Sequence, residues 1–102
     1  MNTKKHPSLL GLFMLRTSPP GGGPVLARIE GALYLLVFSD RPRALAARES
    51  LNIPDAAPFY VCAANRDEII RELHSEGTRG FIADYDPGSA TFSGAGAIPH
   101  AA

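Results

Sequence analysis

The chain has 102 residues, 45% of them hydrophobic and 20% charged, so it holds enough apolar material for one domain and no more. Ten Lys and Arg balance ten Asp and Glu, which excludes the basic footprint of a general nucleic-acid binder. Cys62 stands alone, which excludes an internal disulfide framework and a Cys-rich zinc site.

Met1 to Ser8 is polar, with Lys4-Lys5-His6, and reads as a flexible N-terminus. The apolar Leu9–Leu15 run follows two basic residues, as in a secretory signal, but Arg16 ends it and no small-x-small cleavage site follows. A buried strand is expected there, although a run this short does not separate strand from helix. No run approaches the roughly 20 apolar residues that span a bilayer, so no membrane contact is expected.

Thr17–Pro24 (TSPPGGGP) is too rich in Pro and Gly for a helix or a central strand. A phosphate-cradling loop needs converging N–H groups and a following helix. Here prolines remove donors and the next segment reads as a strand, so a flexible connector is expected.

Val25–Glu30 and Ala32–Phe38 flank Gly31 and read as an antiparallel hairpin. The unbroken apolar run 32–38 suggests a strand covered on both faces. A helix follows from Arg41 to about Leu51, capped by Ser39 or Asp40, with Pro42 in its first turn and Ala44, Ala47 and Leu51 on one face.

Pro58–Ala63 reads as a second buried strand. Asn65 opens a second helix, with Glu68 at capping-box spacing and Ile69, Ile70 and Leu73 as its apolar stripe. Gly77 supplies the left-handed residue that ends it. Arg79–Tyr85 is a further strand, stopped by the Asp86-Pro87-Gly88 turn. Ala90-Thr91-Phe92 is a candidate short edge strand, and residues 94–102 are expected to form an irregular tail.

The expected fold is therefore α/β, a single domain over 9–93. An N-terminal antiparallel hairpin joins two β-α-β units in a mixed sheet, in the order β-β-β-α-β-α-β. Strands 32–38, 58–63 and 79–85 are expected side by side and parallel.

That arrangement gathers Asp40, Asn65, Asp67, Asp84 and Asp86 at the carboxyl ends of the strands, where open α/β sheets bind ligands. Asp40, Asp84 and Asp86 are the candidate Mg²⁺ ligands of a small phosphate-handling enzyme, with Arg41, Arg43 or Arg66 as its cation. Each residue also has an architectural use, as helix cap, dipole partner or turn former. Cys62 reads as a small buried hydrophobe, and His74 as a cation suited to a helix C-terminus. His6 and His100 fall in the terminal segments, and Ser39, Ser75, Ser89 and Ser93 have no base near them in sequence. Strand aromatics such as Tyr34, Phe38, Phe59, Tyr60, Phe81 and Tyr85 suit core packing; with zero net charge they do not suggest an RNA-stacking sheet.

The run Leu33–Asp40, the helix from Arg41 to Leu51, the Gly80–Asp84 strand and the Pro87-Gly88 turn together resemble the SseB-like N-terminal domain. The resemblance spans residues 25–92. It implies a small α/β fold in the bacterial cytoplasm and carries no catalytic residue or cofactor with it. The function expected is that of a non-enzymatic interaction or regulatory module. Its partner is another protein or a second copy, because two short helices leave part of an apolar sheet uncovered.

Overall fold

The computed structural model describes residues 9–18, 22–86, 88–89 and 91–98. Six strands and two helices follow in order: β1 (Phe13–Arg16), β2 (Leu26–Ile29), β3 (Ala32–Phe38), α1 (Arg41–Ser50), β4 (Ala57–Tyr60), α2 (Arg66–Ser75), β5 (Thr78–Ala83) and β6 (Gly94–Ala97). They form one mixed sheet in the order β4-β1-β3-β5-β6, with β2 also paired to β3. The expected α/β class and mixed sheet are thus observed. The expected flexible segment 1–8 and the chain from 99 onward lie outside the described residues.

Alternation along the strands sorts side chains into two cores. Met14, Leu35, Val37 and Phe81 meet Ile69, Ile70 and Leu73 of α2 on one face. Leu15, Leu36, Phe38 and Ile82 meet Ala44 and Ala47 of α1 on the other. The result is three layers, with one helix on each face of the sheet. The unbroken apolar run of β3 has this cause, since its odd and even positions both face a core. Each fully buried Leu, Ile or Phe contributes about 1.5–3 kcal/mol of transfer free energy.

The hairpin joining β2 to β3 is as expected. Ile29 pairs with Ala32 across a two-residue turn in which Glu30 (φ 51°) and Gly31 (φ 85°) both take left-handed conformations. One line of chain beside β3 is shared by two strands. Phe13 and Met14 of β1 pair with Phe38 and Val37, and Leu26 of β2 resumes opposite Leu35. The chain between them loops out and closes on itself. Val25 N–H donates to Leu15 C=O (2.9 Å), Thr17 N–H to Gly23 C=O (3.0 Å), and Gly23 N–H to Thr17 Oγ1 (3.0 Å). The base of the expected flexible connector is therefore pinned; residues 19–21 lie outside the described set.

Three expectations need correction. Only β3 and β5 pair in parallel. β4 runs in the same direction, but β1 lies antiparallel between it and β3, because β1 fills the place beside β3. β4 is consequently an edge strand: Phe59 and Tyr60 are exposed, where core packing was expected, and Cys62 lies beyond the strand and is half-buried. Finally, residues 94–97, expected within an irregular tail, form β6 against β5, and Ile98 is buried. Thr91 makes only an isolated bridge to Asp86.

The β5–β6 contact explains two glycines. A Cβ on Gly80 would stand 2.4 Å from Gly96 O, and one on Gly96 would stand 2.8 Å from the Phe81 ring. A sequence of small residues reads as irregular by propensity, yet it is glycine at 80 and 96 that lets this strand close on β5.

Candidate functional site at the strand carboxyl ends

β3, β4 and β5 all end at one rim, as their common direction requires. Asp84 is the rim's central residue. It follows β5 with φ 54°, a conformation disfavoured for a side chain with Cβ. Its own N–H donates to Val37 C=O (2.8 Å), and its Oδ1 accepts from Ser39 N–H (2.8 Å). Ser39 Oγ donates to Oδ2, and Ser93 Oγ approaches the same oxygen at 3.4 Å. The carboxylate thereby extends the β3–β5 ladder one step beyond its last backbone pair and also holds the approach to β6.

Burial alone would raise the Asp84 pKa. The Ser39 hydroxyl and N–H, the Arg43 charge and the Ser93 hydroxyl outweigh it, holding the carboxyl below the ordinary 3.8.

Asp40 caps α1 as expected: it accepts from Arg43 N–H (2.9 Å) and from the Arg43 guanidinium, with Pro42 in the first turn. Asp86 accepts from Gly88 N–H (3.0 Å) and Ser89 Oγ (2.9 Å), which organises its own turn. A groove of about 230 Å³ between α1 and the end of β5 is lined by Phe38, Arg43, Ala47, Asp84 and Asp86 among others. Asp84 and Asp86 therefore share a groove, while Asp40 stands at the helix start outside that lining. Among the described residues, no three His, Cys, Asp or Glu side chains gather in a group able to hold a metal ion.

Asn65 departs from the expected capping box. Its side chain makes no cap bond to α2. Instead Oδ1 accepts from Cys62 N–H (3.0 Å) and Nδ2 donates to Tyr60 C=O (3.1 Å). Asp67 lies in the first turn of α2 and pairs with Arg66 (3.0 Å). His74 lies in the last turn. Arg41 is exposed at the start of α1.

Two features escaped the sequence. Arg16 makes a bidentate pair with Glu72 (2.8 and 3.2 Å) and lies 5.4 Å from the Phe59 ring centroid, tying α2 to the sheet. Large apolar side chains also stand in solvent near the sheet's edges: Phe59 and Tyr60 on β4, and Phe92, half exposed, just before β6. Finding these needs strand order, which no local pattern encodes. Among the described residues no helix is long and apolar enough to cross a membrane. The chain matches no protein-family model, and no curated protein matches it.

Proposed function

We propose that this domain is a non-enzymatic interaction module that acts by protein–protein contact, with a second copy of itself as the first partner. We further propose that it belongs with the SseB-like domains of the bacterial cytoplasm; the support is the pattern shared over residues 25–92.

The observation that carries the interaction reading is the division of labour among the polar and apolar groups. The rim carboxylates of Asp40, Asp84 and Asp86 are engaged with neighbouring backbone and side-chain donors that build the fold. Large apolar side chains meanwhile stand in solvent, with Tyr60 and Phe92 about half exposed.

Self-association makes thermal stability depend on protein concentration, because the associated state has no unfolded counterpart. A melting temperature that rises steadily across a wide dilution series is the expected result. A melting temperature independent of concentration, together with a single 10.8 kDa species throughout, removes self-association from the reading.

A further inference from the structure

The sheet has three free strand margins among the described residues, and they are not alike. On β4, Val61 N–H donates inward to Leu12 C=O (3.0 Å), so by alternation Pro58 and Tyr60 direct their backbone outward. Pro58 has no N–H to offer, and the Tyr60 C=O is occupied by Asn65 Nδ2. On β2, Arg28 is exposed and donates to Gly31 C=O (3.3 Å), which places a charge on that margin. Both margins carry devices that discourage a further strand.

β6 carries none. Its residues are Gly94-Ala95-Gly96-Ala97, without charge or proline. Asp84 N–H donates to Val37 C=O on the β3 side, so Ala83 faces β6, and Ser93 N–H does donate to Ala83 C=O (2.9 Å). With Ala83 paired to Gly94, alternation turns Gly94 and Gly96 towards β5. The N–H and C=O groups of Ala95 and Ala97 are thereby turned outward.

We propose that β6 is the self-association edge: two copies join antiparallel, with Ala95 of each opposite Ala97 of the other and Gly96 on the two-fold axis. This rests on the interaction reading above and names its surface. In that register each outward donor meets an outward acceptor. The two Gly96 residues form the closely spaced, non-hydrogen-bonded pair at the centre.

Four residues of ladder bury too little for a stable dimer, which needs about 1,200 Å² in total. The missing area lies beside the strand. Phe92, Tyr34, Ile29, Ile82 and Ala95 line a groove of about 480 Å³ on the α1 face, beyond the cover of α1. A two-fold axis through Gly96 keeps both α1 faces on the same side of the joined sheet, so the two grooves flank one seam. Glu30 and Arg79 lie in the same groove, and these opposite charges suit an isologous contact in which each surface meets its own copy.

The test is light scattering on the full chain from micromolar to submillimolar concentration, for the wild type, Ala95→Lys, Ala97→Pro, Phe92→Ser and Tyr60→Ser. Ala95 and Ala97 are exposed and alternation turns their N–H groups away from β5, so the first two variants are compatible with the fold; unchanged circular dichroism verifies that. The expected result is a wild type approaching twice 10.8 kDa, a Tyr60→Ser variant that follows it, and monomers for the three β6-side variants. A dimer that survives both Ala95→Lys and Ala97→Pro overturns β6 as the edge and leaves self-association standing. A wild type monomeric throughout overturns both.

Discussion

Asp84 shows how one residue decides between architecture and chemistry at this rim. Its folded pKa is lowered, so its contribution to stability is complete above the unfolded value of 3.8 and is lost as pH falls through the lower folded value. Asp84→Asn is expected to lower the melting temperature at neutral pH. Its difference from wild type should shrink towards zero in acid below that range, as read by thermal unfolding against pH. A difference that persists undiminished in acid contradicts the role given to the charge. Thr78 makes the complementary case. Its Oγ1 is buried and has no hydrogen-bond partner among the described residues, so Thr78→Val is expected to stabilise the fold by about 1 kcal/mol, measured by denaturant titration. A loss of stability there would mean that the hydroxyl is satisfied in solution.

Among the elements, the most legible in the sequence were those whose signals are local. α1 announces itself through Asp40, Pro42 and the Ala44/Ala47 face, and the β2–β3 hairpin through Gly31. Gly31→Ala is expected to cost about 1 kcal/mol from backbone conformation alone, because a Cβ there meets nothing within 4 Å. A neutral outcome in denaturant titration would contradict the turn. What depends on partners was not legible. Asn65 has capping-box spacing with Glu68, yet Cys62 N–H takes its Oδ1 and the Tyr60 carbonyl its Nδ2. The GAGA strand has low β propensity and is defined only by the close approach of Gly80 and Gly96. Gly96→Ala pushes a methyl into the Phe81 ring and is expected to cost about 1–3 kcal/mol by overpacking, read as a lowered denaturation midpoint.

For the whole molecule, the sequence specified the class but not the strand order. Two β-α-β units imply right-handed crossovers and strands of common direction. They do not say that β1 inserts between β3 and β4. That insertion makes β4 an edge and exposes Phe59 and Tyr60, so this apolar surface is a product of topology. The carboxylates of Asp40, Asp84 and Asp86 do lie at the strand carboxyl ends, because the shared direction of β3, β4 and β5 survives the insertion. Their commitments were only half legible: the Asp40 cap is a local pattern, whereas the bond from Ser39 to Asp84 spans 45 positions.

The polar groups of this rim maintain the fold, and among the described residues they gather no group able to hold a metal ion. The most direct measurement is thermal unfolding of the wild type and Asp84→Asn at neutral pH, with and without millimolar Mg²⁺ or Mn²⁺. The expected result is a melting temperature unmoved by either cation in both proteins, with the variant lower throughout. A rise of several degrees on adding cation to the wild type, abolished in Asp84→Asn, would contradict it.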